Sequence, residues 1–238
     1  RELFYLLVWR EIKGRYAQSV LGLGWAVIPP IMQMIVFTVI FGRLLNVDSD
    51  GTPYAVFSYT AVVPWTFFSG GLTGAAGSLV SFKAMLTRVY FPRLIMPLAA
   101  VLSKLVDFLI AFSLVFALIA WFRIAPTIWI LTLPLLTLLM LLAATGIGMW
   151  LTALAIQYRD LRFGLTFVVQ LLMWGSPVVY PASMVPDQYR LIYALNPMVG
   201  IIEGFRSALL GANPMPWDLL AVASLVTVLS IVTGAFYI

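Results

Sequence analysis

Lys104 and Asp107 stand three residues apart inside an apolar run of about residues 97–122. On a helix that spacing puts both on one face. A lone charge in hydrocarbon costs at least about 2.5 kcal/mol on insertion scales, so the two are expected to turn inward and pair. They offer a structural clamp, with the lysine reaching toward the membrane boundary, or an ion or proton relay. A relay needs several ionisable groups at depth, and this run supplies two, so the clamp is the stronger reading.

A second constellation is "YRDLR", residues 158–162, where Arg159, Asp160 and Arg162 follow a charge-free stretch from Ile124 to Gln157. Basic residues alone would anchor lipid headgroups; the acid suggests a specific partner or a pair within the loop. Lys83, Arg88 and Arg93 form a similar group, and Arg15 with Tyr16 closes a basic N-terminal segment. The chain has no histidine and no cysteine. It therefore lacks the commonest general base and thiolate metal ligands. No G-x-x-x-x-G-K-[ST], H-E-x-x-H or G-x-S-x-G motif is present, and no acidic cluster would hold a divalent metal. Catalytic and metal residues are read as none.

The elements that position these groups follow from composition. Of 238 residues, 63% are hydrophobic and 10% charged, with a mean hydropathy of +1.04. A soluble domain carries about a quarter charged residues, so lipid must solvate most of this surface. The reading is an all-α polytopic membrane protein. A crossing needs about 20 apolar residues. Six stretches qualify, near 22–45, 55–80, 97–122, 128–156, 163–180 and 217–238. Residues 181–216 hold five prolines and scattered charges. Their helical pieces, about 185–194 and 197–211, are too short to cross, which predicts a re-entrant or interfacial hairpin. Residues 1–238 form one transmembrane domain, with 1–20 an interface segment rather than a signal peptide. Arg1 without Met and Ile238 within an apolar run read as trimming at both ends.

Nine Lys and Arg residues fall on one side (the N-terminal segment, 81–96 and YRDLR) and four on the other: Arg43, Arg123, Arg190 and Arg206. The positive-inside rule places both termini and the richer side in the cytosol, and the hairpin outside. The net charge of +5 sits in short loops, so nucleic acid is not expected as a partner. Gly70 and Gly74 have the small-xxx-small spacing that lets helices approach, best read as packing within one subunit. Pro29, Pro30, Pro64 and Pro134 are each expected to remove a backbone hydrogen bond inside a span. Most Trp and Tyr residues sit at span ends. Trp25, Trp150 and Trp174 lie deeper, where aromatic faces could line a sugar path or meet lipid.

"RYAQSVLGLGWAVIPP" (15–30), "FPRLIMP" (91–97), "YRDLR", "SPVVYP" (176–181) and "LNPMVGIIEGFRSALLG" (195–211) occur in this order. Together they resemble the membrane subunits of polysaccharide ABC exporters of the O-antigen, capsule and teichoic-acid type. The resemblance covers nearly the whole chain. It implies a homodimer of six-span subunits in the cell inner membrane, each joined to a cytosolic ABC ATPase that binds ATP and Mg, with no cofactor in this chain. The cargo implied is a glycan on a polyprenyl-pyrophosphate lipid. Arg15, Tyr16, Trp25, Trp174 and Tyr180 become candidate substrate contacts. Lys83, Arg88, Arg93, Arg159, Asp160 and Arg162 become candidate coupling residues. The N-terminal segment departs from an amphipathic interface helix, since Leu3 to Trp9 is apolar all round. The alternatives are an ABC permease for a drug or small lipid, and an ion-coupled transporter using Lys104 and Asp107.

Overall fold

A computed structural model describes residues 2–16, 21–81, 94–158 and 160–237. All regular structure among them is helical. In order these are α1 (Glu2–Tyr16), a 3-10 turn (Gly22–Ala26), α2 (Ile28–Phe37) with a π-helical continuation (Thr38–Leu44), α3 (Tyr54–Ser81) and α4 (Ile95–Trp121). After a 3-10 turn (Ile128–Thr132) come α5 (Leu133–Gln157) and α6 (Leu161–Trp174). A third 3-10 turn (Ala182–Met184) precedes α7 (Asp187–Ala194), α8 (Pro197–Leu210) and α9 (Trp217–Tyr237).

Among the described residues, four segments are long and apolar enough to cross a membrane: Gly22–Leu44, Ile95–Trp121, Ile128–Ala155 and Trp217–Tyr237. The chain is a multi-pass membrane protein. The two other expected spans differ from these. α3 has 28 residues, about 42 Å of helix, but is the central element rather than a lipid-facing one. Val56, Phe57, Tyr59, Ala61 and Val62 are fully buried by its neighbours. Protein, not lipid, solvates it, so it carries more Ser, Thr and Gly than a span facing hydrocarbon. The expected fifth span, 163–180, is helical only to Trp174; a turn at Gly175 and Pro177 ends it.

Small residues set how closely the helices approach. On α3, Gly71 faces Ala144 of α5, and Gly74 faces Ala100 of α4. A Cβ on Gly148 of α5 would come within 2.8 Å of Ala75, and Thr152 donates to the Ala75 carbonyl at 2.9 Å. The Gly70–Gly74 region thus packs within the subunit, as its spacing suggested.

Three of the four prolines act differently from expectation. Pro29 and Pro30 open α2, and Pro134 opens α5, where the N–H would lack an intrahelical partner anyway. Pro64 alone of the four lies inside a helix.

α1 lies lengthwise along the first half of α4. Leu7 packs on Met96 and Ala99 near α4's start, and Arg15 reaches Ser103 about one turn beyond Ala99. Tyr5, Leu6 and Trp9 remain exposed on its other side, with Tyr5 stacked on Trp9. The apolar character of residues 4–9 is thereby divided between a helix contact and an outer face. At the far end, α7 and α8 form the pair of short helices that the prolines predicted. Gly211, at φ 68°, ends α8 in the left-handed conformation that glycine adopts without strain.

Candidate functional site

Two polar clusters interrupt the apolar scaffold. They lie about 20 Å apart along α3, one near Gly70 and the other near Phe57.

The first joins α1 to α4. Asp107 accepts the Arg15 guanidinium on one carboxylate oxygen and the Tyr16 hydroxyl on the other. Arg15 also donates to the Ser103 hydroxyl at 3.1 Å, and Ser103 donates to the Ala100 carbonyl at 2.8 Å. The Arg15 and Asp107 side chains are 26% and 22% exposed, so the pair is shielded without being sealed. Burial, and then the hydrogen bond to Asp107, push the Tyr16 phenol up to about 12. Lys104 lines a cavity of about 320 Å³ together with Asp107, bounded by α3, α4, α6 and Ala26. The i,i+3 spacing does bring Lys104 and Asp107 to one cavity. The ion pair of Asp107, however, is with Arg15, a partner that local spacing cannot reveal.

The second cluster ties the hairpin to the scaffold. Arg206 of α8 is 4% exposed. Its guanidinium donates to Glu203 at 2.9 Å and to the carbonyls of Val178 at 3.1 Å, Tyr180 at 3.4 Å and Phe57 at 3.4 Å. It also sits 3.6 Å from the centre of the Phe57 ring. Glu203 in turn accepts the Ala182 N–H at 3.1 Å. A buried cation is tolerated when every donor finds an acceptor, and this one binds three carbonyls and a carboxylate. Asn196 caps α8 by accepting from Met198 N–H, while its amide donates to Ser176 at 2.8 Å. Tyr54 donates to Val179 O at 2.6 Å. "SPVVYP" and "LNPMVGIIEGFRSALLG" are therefore two halves of one structure. Sequence reasoning counted Arg206 only as a charge on one side of the membrane, and Glu203 only among the scattered charges of 181–216. Their i,i+3 spacing, the same signal carried by Lys104 and Asp107, was the available clue.

An aromatic cluster lies between the clamps. Trp174 packs on Phe37 and Phe41, with ring centres at 6.5 and 6.0 Å, and Gln33 donates to the Met173 sulfur at 3.2 Å. Tyr180 donates to the Trp174 carbonyl at 2.8 Å and stacks on Tyr193. Trp25 and Trp174 remain 56% and 45% exposed. The structure thus unites Arg15 with Tyr16, and Trp174 with Tyr180, at separate places. Trp25 stands by itself, next to the cavity-lining Ala26.

Among the candidate coupling residues, Lys83, Arg88, Arg93 and Arg159 lie outside the described residues, as does the side chain of Arg162. Asp160 is exposed at the start of α6, where a negative charge also suits the helix dipole. Among the described residues, no group of acids, histidines or cysteines could hold a metal.

Comparison with known proteins agrees with this architecture. The family model described as ABC-2 type transporter matches residues 2–210. The chain is 29% identical to the O-antigen export system permease protein RfbA of Myxococcus xanthus over 209 residues, 87% of this chain and 80% of that protein. It is 24% identical to the polysialic acid transport protein KpsM of Escherichia coli over 209 residues, 84% of this chain and 78% of that one. It is 26% identical to the inner membrane transport permease YadH of Escherichia coli K12 over 235 residues, 88% and 87% of the two chains. The chain belongs to the ABC-2 type transporter family.

Proposed function

We propose that this chain is the channel-forming membrane subunit of an exporter that moves lipid-linked polysaccharide, O-antigen-like in type, from the cytosol across the inner membrane. Hydrolysis of ATP belongs to a separate cytosolic ABC subunit that binds the nucleotide and Mg. The observation that carries this reading is likeness, across 87% and 84% of the chain, to permeases named for O-antigen export and polysialic acid transport.

The geometry supports a homodimer with six crossings per subunit. α3 is long enough for one, and α6 with the turn segment after it makes another. The exposed faces of α2 and α6, including Met32, Ile35, Phe167, Leu171 and Trp174, need a cover other than their own subunit, and a second copy supplies it. Trp25, Trp174 and Tyr180 then border the path between subunits, where flat aromatic faces suit sugar rings. On this reading the ATPase is met in the cytosol by the candidate coupling residues Lys83, Arg88, Arg93, Arg159, Asp160 and Arg162. The α7–α8 hairpin is external and re-entrant. Arg15, still a quarter exposed while paired, has room to meet a lipid pyrophosphate entering beside α1.

The test is export in a strain lacking this gene, with chain and ATPase supplied together. Surface glycan should return only with both, and should fall with Trp174→Ala while the complex still assembles. Return of glycan without the ATPase would overturn the reading. A second reading, a permease for a drug or small lipid, draws on the likeness to YadH, whose name specifies no polysaccharide. Unchanged glycan with altered small-molecule efflux would favour it.

A further inference from the structure

A cavity of about 310 Å³ opens between α5 and α9, away from both polar clusters. Leu135, Leu138 and Leu142 border it on α5, and Trp217, Ala221 and Ser224 on α9. Its shape follows from the packing on either side. Toward the ends of the two helices the backbones touch: a Cβ on Gly146 would lie 2.9 Å from the Ile231 nitrogen, and one on Gly234 would lie 3.0 Å from the Gly146 carbonyl oxygen. At their first turns α8 stands against both instead, since a Cβ on Gly204 would meet Leu136 at 3.0 Å and Leu220 at 3.5 Å. α5 and α9 therefore run side by side in one direction, joined at one end and parted by α8 at the other. The buried side chains of Leu136, Met215 and Leu220 form the floor of the gap, while Leu135, Leu138 and Ala221 stay exposed at its rim. The groove follows the helix axes for about 10 Å, from Leu135 to Leu142 and from Trp217 to Ser224.

No charged side chain is among the described residues that line it. Its two hydroxyls are already spent, Thr132 on the Trp129 carbonyl at 2.7 Å and Ser224 on the Leu220 carbonyl at 2.8 Å. Water finds little to bind there, and apolar cavities of this kind stay dry. Left empty, the walls would forfeit their dispersion contacts. Both helices belong to segments apolar enough to cross a membrane, so hydrocarbon surrounds the opening. At the hairpin end Trp129 packs edge-on against Trp217, with ring centres 5.4 Å apart. Such aromatic residues mark the headgroup level, where one edge is apolar and the other wet. The groove thus begins at the membrane boundary and runs inward, parallel to the lipid chains. No described residue of α2 or α6, the faces assigned to a second copy, lines it.

We propose that this groove holds one acyl chain of a phospholipid from the leaflet on the hairpin's side, retained as a structural lipid and distinct from the mobile boundary layer. The chain fills the space that α8 opens between α5 and α9. The site stands whichever cargo is exported.

The purified complex with its ATPase is placed in nanodiscs of phosphatidylcholine carrying a photoactivated diazirine near the start, the middle or the end of one acyl chain, and the adducts are mapped by mass spectrometry. Adducts should be at least about fivefold denser on Leu135, Leu139 and Leu142 than on Leu225 and Val228, which are exposed on α9 outside the groove. They should move from Leu135 toward Leu142 as the diazirine moves down the chain. Ala221→Trp, which fills the groove from its rim, should abolish the excess and leave the adducts on Leu225 and Val228 unchanged. Equal labelling inside and outside the groove, the reverse order along α5, or an excess that survives Ala221→Trp overturns the site. If that variant fails to fold, Leu138→Trp on the opposite rim decides by the same readout at Leu139 and Leu142. Excess polyprenyl phosphate should leave the labelling as it is; displacement by it would make the groove a cargo contact and overturn the assignment.

Discussion

Arg15 and Asp107, 92 positions apart in the chain, form an ion pair that fastens the end of α1 to the middle of α4. Breaking a charge-assisted hydrogen bond in a partly shielded place costs about 1.5–3 kcal/mol. Arg15→Gln and Asp107→Asn are each expected to lower thermal stability by that order. The double variant should lose less than the sum, because the two act on one interaction. Strict additivity in the unfolding midpoints would show that the residues act separately.

Tyr16 adds a pH dependence to the same clamp. Its folded pKa, about 12, exceeds the ordinary phenol value of 10.0. A raised pKa means that the clamp's contribution is complete below pH 10 and fades as pH rises through 12. Tyr16→Phe should flatten the alkaline limb of a stability-against-pH curve. An unchanged limb would place the titration elsewhere.

The legible part of this fold was set by long-period physics. Apolar runs, proline clusters and charge asymmetry each act over a whole segment, so α2, α4, α5, α9 and the α7–α8 pair could be read directly. α3 was found as a run, but its burial was not, since apolar character alone cannot distinguish lipid from protein as the surrounding solvent. The Arg15–Asp107 pair was hidden because helical spacing rules report only neighbours three or four residues away. They brought Lys104 and Asp107 to one cavity but could not supply the closer cation from α1. Arg206 was hidden for another reason. In sequence it is one more arginine in a polar loop, and only the convergence of the Val178, Tyr180 and Phe57 carbonyls makes a buried place for it.

That convergence yields a stability prediction. Removing one partner of a buried ion pair costs about 3–5 kcal/mol, because the other charge is left without compensation. Arg206→Met and Glu203→Gln should each fall in or near this range, with Arg206→Met the more severe because it also takes the Arg206 donors from the Val178 and Tyr180 carbonyls. The check is a thermal melt of the purified complex. A melt unchanged in Arg206→Met would mean that the hairpin holds its place without it.

Close helix approach gives a sharper contrast. A Cβ on Gly200 would lie 2.6 Å from the Leu219 carbonyl oxygen, a backbone atom that cannot rotate aside. Gly200→Ala must therefore push α8 from α9, and about 1–3 kcal/mol of destabilisation is expected. Gly164, on α6, has nothing within 4 Å of the same position. Gly164→Ala should be neutral or should stabilise by up to about 1 kcal/mol through helix propensity. Equal losses at both sites would contradict the packing of α8 on α9.

Membrane orientation can be tested without background, because the chain contains no cysteine. Lys13 is exposed near the end of α1, and Ser183 borders the cavity beneath α7 and α8. With α1 on the cytosolic side and the hairpin outside, a membrane-impermeant thiol reagent added to intact spheroplasts should label Ser183→Cys and spare Lys13→Cys. Inside-out vesicles should give the reverse. α3 sets this opposition, since its Phe57 turn, near its start, meets the hairpin's Arg206 while its Gly70 turn, about 20 Å further along, meets Lys104. Labelling of both positions from the same side would break the inference that α3 runs from one face of the membrane to the other, and the proposed export path between subunits would go with it.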